Sequence, residues 1–252
     1  EILIGLVGSE MCIRDRHHSE LLSARPAVFC RIGSGEVFLR GLRFFINSGV
    51  VVNITEIKQK VLKAIEARRA DIEAIAQAIL KEPELGYKEI KTSAKVRAAF
   101  DALGLEYTTG WGITGIKARI KGGKPGKTVA VIGELDAVIC KNSPYAAPSG
   151  AAHCCGHNVQ IANMLAVAWA LVDSGVMKEL AGDVVFFAVP AEEYVELGYR
   201  AELVKQGKIS YLGGKEQIIK EGGFDDIDIA LQMHVDITDK PDGYLSLIHI
   251  SE

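Results

Sequence analysis

A layered α/β fold around a mostly parallel sheet is predicted by three observations. Apolar, β-branched runs at 128–135, 184–189 and 227–233 read as buried strands. Stretches with helical periodicity precede and separate them, which is the alternation of an α/β architecture. The chemically versatile side chains stand just past the strand ends: Asp136 after the first, Glu192 and Glu193 after the second, His234 after the third. In open α/β sheets the ligand crevice lies beyond the carboxyl ends of the strands, so this placement points to a site.

The elements follow in order. Asn53, with Glu56 three residues later, reads as a helix start of capping-box type. Ile57, Val61, Leu62, Ile65, Ile72, Ile75 and Ile79 form one helical stripe to about Leu80, and Pro83 interrupts it. A second helix is predicted over 90–103, stopped by Gly104. Residues 113–120 alternate like a strand, and 122–126 (Gly-Gly-Lys-Pro-Gly) is turn chemistry. A long Pro-, Gly- and Ala-rich loop spans 136–152. A helix over 157–173 should bury Ile161, Leu165, Ala168 and Val172. Pro190 stops the strand at 184–189; helices at 197–205 and 215–221 lead to the last buried strand, 227–233.

Both chain ends read as non-native. Residues 8–15 with the start of the Arg16 codon can be encoded so that the reverse complement, in a shifted frame, is CTG TCT CTT ATA CAC ATC TCC GAG, which translates as residues 245–252. Both resemble a translated transposase adapter, so 1–16 and 245–252 are expected to have no packed place in the fold. Residues 17–51, including His17 and His18, lack a sustained period and are expected to be leader-derived or disordered. This leaves 52–244 as the N-terminal part of a catalytic domain.

Composition narrows the class. A hydrophobic content of 48% with 24% charged residues describes an ordinary globular chain, and a net charge of −3 gives no reason to expect nucleic acid or an anionic membrane as partner. No run approaches the roughly 18 apolar residues of a membrane span. Cys140, Cys154 and Cys155 are clustered, a poor disulfide framework that fits a reducing, cytoplasmic compartment with thiols free for metal.

The densest run is His153-Cys154-Cys155-Gly156-His157-Asn158. Thiolate and imidazole suit zinc-like ions, and Cys-x-His spacing lets both reach one site from a turn entering a helix. The same run is compatible with a loop holding two buried thiols and a capping histidine. Glu192 and Glu193 follow a wholly apolar strand and Pro190; adjacent side chains diverge, so one carboxylate can bind metal while its neighbour faces substrate. His234 is either a structural histidine or a ligand. Asp136 either orients a ligand imidazole or caps the following loop. Glu134 and Cys140 are left outside the ligand set.

Together these residues resemble the metal-dependent amidohydrolases and exopeptidases that include aminoacylase, carboxypeptidase G, hippurate hydrolase and the auxin-conjugate hydrolases, in the branch with a Cys-Gly-His motif. The motifs are 82–86 (Glu-Pro-Glu-Leu-Gly), 133–137 (Gly-Glu-Leu-Asp-Ala), the Cys-Cys-Gly-His-Asn run, 190–193 (Pro-Ala-Glu-Glu) and Met233-His234. The resemblance implies a zinc-peptidase type catalytic domain, cut before a lid or dimerisation domain, and a homodimeric full-length protein. It implies two divalent ions (zinc, manganese or cobalt) with Cys155 bridging and His157, Glu193 and His234 as ligands. Glu192 would be the general base and Asp136 its catalytic companion, in hydrolysis of N-acyl amino acids or small peptide-like conjugates. Asn158 and Glu134 depart from the Asp of many relatives. Lacking a later histidine ligand, the chain as written is expected to be inactive by itself. Two other readings are a non-catalytic protein with one structural or sensing metal at Cys155/His157, and thiol redox chemistry through Cys154 and Cys155, which a strained vicinal disulfide disfavours.

Overall fold

The computed structural model describes strands β1 (Ile4–Val7) and β2 (Glu10–Ile13) and residues 53–235. The chain divides into two units, one of Glu1–Val52 with Asp236–Glu252 and one of Asn53–Val235. In the first, β1 pairs antiparallel with β2. The expectations placed on 17–51 and 245–252 lie outside the described residues.

The second unit opens with the helix that Asn53 starts: its side-chain oxygen accepts from the Glu56 N–H at 3.3 Å. The single stripe expected to Leu80 is two helices, α1 (Ile54–Ala67) and α2 (Arg69–Leu80). The break is at Arg68, whose guanidinium bridges Asp173 (Nε to Oδ2, 2.7 Å) and Asp71 in the first turn of α2 (Nη1 to Oδ2, 3.0 Å). Leu62 is correspondingly not a core residue but 64% exposed, while Ala64 is buried. Helix α3 (Ile90–Ala102) ends as predicted before Gly104, whose φ of +65° a side chain would resist.

The sheet has strand order β3-β4-β8-β5-β9. Strand β3 (Tyr107–Trp111) is a hairpin partner of β4 (Gly115–Ile120) that hydrophobic periodicity does not reveal, because its central residues are exposed at the sheet edge. Strand β5 (Lys124–Glu134) starts earlier than 128, its exposed first residues pairing through a register shift with β8 (Ala181–Val189). β5 runs parallel to β8 and to β9 (Ile229–Gln232), and only β4 runs against the common direction. Two short strands, β6 (Val138–Ile139) and β7 (Ala151–Ala152), pair inside the loop predicted at 136–152.

Alternation along β8 divides the core between the two sheet faces. Phe186 and Ala188 join Val96, Phe100, Ile161, Met164 and Leu165, all buried, beneath α3 and the 18-residue α4 (His157–Ser174). Phe187 faces the other way, 5.0 Å from the Phe224 ring and 6.0 Å from that of Trp111. Helix α6 (Gly214–Lys220) packs against β8, and α5 (Leu197–Lys205) precedes it in the chain. Ile161, Leu165 and Ala168 are buried as expected; Val172 is half-buried.

The last strand corrects its expectation. β9 is shorter than 227–233 and is not buried: Ile229 and Leu231 are each 47% exposed. Among the described residues it pairs only with β5, so one edge and half its side chains lack cover.

Candidate metal and acid–base site

The strand order does what spacing cannot. β5 lies between β8 and β9, so the carboxyl ends carrying Glu134 and Asp136, Glu192 and Glu193, and His234 are neighbours. Gly156, at φ +91°, turns the chain into α4 and delivers Cys155 and His157 to the same place. Two donor groups result among the described residues, each with ligand atoms within 4.8 Å of one another: Cys155, His157 and His234; and Glu134, His157 and Glu192.

Both imidazoles are set in one tautomer. The Nδ1 of His157 lies 2.9 Å from the Asp136 carbonyl oxygen, and that of His234 lies 2.6 Å from the Val235 carbonyl oxygen. A carbonyl oxygen only accepts, so Nδ1 carries the hydrogen and Nε2 is the atom offered to a ligand. His234 Nε2 is 3.2 Å from Cys155 Sγ. His157 Nε2, buried and without a well-formed hydrogen bond, is 2.9 Å from Glu134 Oε2 and 3.9 Å from both Glu192 Oε2 and Glu193 Oε1. The rings meet edge to face at 5.9 Å.

Asp136 is fully buried and does two things: its Oδ1 lies 3.3 Å from His157 Nδ1, and its Oδ2 accepts the Glu193 N–H at 2.9 Å. It thereby ties the β5 end to the carboxylate turn. Cys155 is half-buried, whereas Cys154 is exposed; both are free thiols.

Electrostatics accompany the geometry. Burial, with the Glu134 carboxylate adding to it, pushes the Glu192 carboxyl up to about 8. Glu134 goes the other way: burial opposes its charge, but the Lys215 ammonium and His157 outweigh this and hold it well below the usual carboxylate range. Burial works against the His157 imidazolium too, yet Asp136, Cys155 and Glu134 raise it well above the ordinary histidine value. The Cys155 thiol is drawn down by His157, but burial and Glu193 leave it raised. A cation bound at Nε2 and Sγ must therefore displace protons, and its affinity falls as the pH is lowered.

Sequence reasoning placed Glu134 outside the ligand set and had no signal at all for Lys215. Glu134 Oε1 accepts from Lys215 Nζ and from Gln232 Nε2 (2.7 Å), while Oε2 accepts from Gln160 Nε2 (2.9 Å). Lys215 and Glu134 are each only 1% exposed. Removing one partner of a buried pair strands the other charge, so Lys215→Met should lower the unfolding free energy by about 3–5 kcal/mol, read by urea titration. Glu89 is a further buried carboxylate, accepting from the Ala191 N–H at 2.8 Å and from Thr114 Oγ1 at 2.6 Å.

The donor set fits a zinc-like divalent ion: a thiol, two Nε2 atoms and carboxylates converge, with both rings oriented through their far nitrogens. The layered sheet thus places these donors at three adjacent strand ends, where a divalent ion could be held. No family model matches the chain. Thermostable carboxypeptidase 2 of Saccharolobus solfataricus is 34% identical over 139 residues, 53% of this chain and 35% of that protein. The N-acyl-L-amino acid amidohydrolase of Geobacillus stearothermophilus is 24% identical over 182 residues, 71% of this chain and 44% of that one. The fold is shared with the YXEP protein of Bacillus subtilis, a dinuclear metal binding peptidase from the M20 family, at a TM-score of 0.51 and 23% identity over 64% of this chain and 42% of that chain. The chain is thus similar in sequence to amidohydrolases and carboxypeptidases, and it spans less than half the length of these relatives. Among the described residues no helix is long and apolar enough to cross a membrane.

Proposed function

We propose that the full-length protein is a binuclear metal-dependent amidohydrolase acting on N-acyl amino acids or small peptide-like conjugates. One observation carries this reading: two imidazoles, tied through Nδ1 to backbone carbonyls, turn Nε2 toward a common thiol and carboxylate cluster beside an elevated Glu192 carboxyl. Cys155, His157, Glu193 and His234 would hold the ions. Glu134, 2.9 Å from His157 Nε2, is a neighbouring carboxylate of the same cluster. Bound ions would supply a water of lowered pKa and polarise the amide carbonyl.

The chain's own residues supply the proton handling. Glu192 accepts a proton from the attacking water and returns it to the leaving nitrogen, a role suited to a carboxyl raised toward neutrality. Asp136 keeps the His157 ring and the Glu193 backbone in register. Burial of Glu134 and Lys215 keeps bulk water from that side of the cluster.

The test is elemental analysis of the full-length protein alongside turnover of an acyl-amino-acid panel. Two ions per chain, activity lost to a chelator and restored by zinc, manganese or cobalt are expected. One ion with no turnover would instead establish the single-metal, non-catalytic reading.

A further inference from the structure

Arg200 is the largest fully buried side chain of the described residues, and no anionic partner touches its guanidinium. Instead Nη1 donates to the carbonyl oxygens of Ala191 (3.2 Å) and Leu212 (2.8 Å), and Nη2 donates to that of Glu193. Burying a guanidinium among neutral carbonyls is costly, so its placement calls for a reason beyond packing. The carbonyls it grips at 191 and 193 flank Glu192 and belong to the turn after β8.

That turn is otherwise hard to hold. Ala191 is left-handed at φ +53°, a conformation a non-glycine residue resists. Its N–H is taken by Glu89 and its carbonyl also by the Gly214 N–H, while the Glu193 N–H goes to Asp136. The guanidinium carbon also lies over the rings of Tyr87 and Tyr194, 5.4 and 5.9 Å from their centroids. Gly86 makes the approach feasible: a Cβ there would collide with Arg200 Nη2 and come within 2.8 Å of Ala191 Cα. The Glu-Pro-Glu-Leu-Gly motif thus meets the carboxylate turn through its glycine.

We propose that Arg200 is a positioning residue for the proposed reaction, a planar fork that fixes the 191–193 backbone and so the directions of the Glu192 and Glu193 carboxylates. The assignment rests on the functional reading above only for what those carboxylates do. Arginine suits the place because its rigid, always-charged fork spreads its donors over two separate terminal nitrogens, whereas a lysine ammonium gathers its donors on one atom.

The test uses the metal-stripped full-length protein titrated with Co(II), the thiolate-to-cobalt absorption of Cys155 reporting occupancy. Arg200→Ala is expected to weaken Co(II) binding about 10–100-fold, the usual cost of losing support behind a ligand. Guanidinium ion, refilling the cavity at concentrations too low to unfold the protein, should restore both affinity and turnover. Arg200→Lys keeps stem and charge and should show the loss without rescue; it also carries the test if the alanine variant does not fold. Unchanged Co(II) affinity in folded Arg200→Lys, or in folded Arg200→Ala, overturns the proposal. An unaltered protein that binds Co(II) but hydrolyses nothing sinks the functional reading, while the titration still decides the role of Arg200.

Discussion

Glu192→Gln in the full-length protein should keep metal content near that of the unaltered protein and lower turnover by about 10²–10⁴-fold, the contribution of general acid–base catalysis. The substitution preserves size and hydrogen bonding at one oxygen and removes the proposed proton acceptor. It is expected to spare the fold, because among the described residues the Glu192 carboxylate makes no ion pair closer than its 3.9 Å approach to His157. The raised carboxyl value has one dominant cause, burial, with the Glu134 charge second. Glutamine relieves both effects, so thermal stability should not fall. Elemental analysis beside steady-state kinetics on an acyl-amino-acid substrate distinguishes the outcomes. Loss of the metal with Glu192→Gln would make Glu192 a ligand, which its place in the Glu134–His157–Glu192 group makes a concrete alternative.

Cys155→Ser should lower both metal occupancy and activity. A hydroxyl ionises far less readily than a thiol and is a harder, poorer ligand for a zinc-like ion. The effect is amplified by position: Cys155 Sγ faces His234 Nε2 at 3.2 Å, and a shorter Oγ withdraws from it. Cys154→Ser is the control. Cys154 is exposed and assigned no ligand role, so the variant should bind metal and turn over substrate as the unaltered protein does. Full occupancy and rate in Cys155→Ser, with loss in Cys154→Ser, would reverse the register of the motif.

Much of this site was legible before any coordinates. Glu192, Glu193 and His234 stood out because apolar runs end just ahead of them, and Cys155 and His157 because thiol and imidazole stand two residues apart at a glycine turn. The structure brings Cys155, His157 and His234 into one group and leaves Glu193 at its margin, 3.9 Å from His157 Nε2. Glu134 was passed over as an uninformative residue inside a strand. It matters because β5 is the central strand at the site end, which turns its last side chain toward His157 and Lys215.

What the sequence by itself determined was local: helix starts and stops, strand identities, and ligand-type residues at strand ends. These follow from capping, periodicity and turn chemistry, which act over a few residues. It also carried the resemblance to amidohydrolases and carboxypeptidases, through short motifs whose meaning lies in their combination. Only the tertiary structure decided the strand order that makes three strand ends neighbours and the hairpin that adds exposed β3. It alone decided the break at Arg68 and the exposure of β9. The reason is the same in each case. An ion pair such as Arg68–Asp173, 105 residues apart, or the grip of Lys215 on Glu134, 81 residues apart, leaves no trace in the spacing of either partner's neighbours. The buried cations are the extreme example: Lys215 and Arg200 sit in stretches that read simply as helices, and their partners are created by the fold.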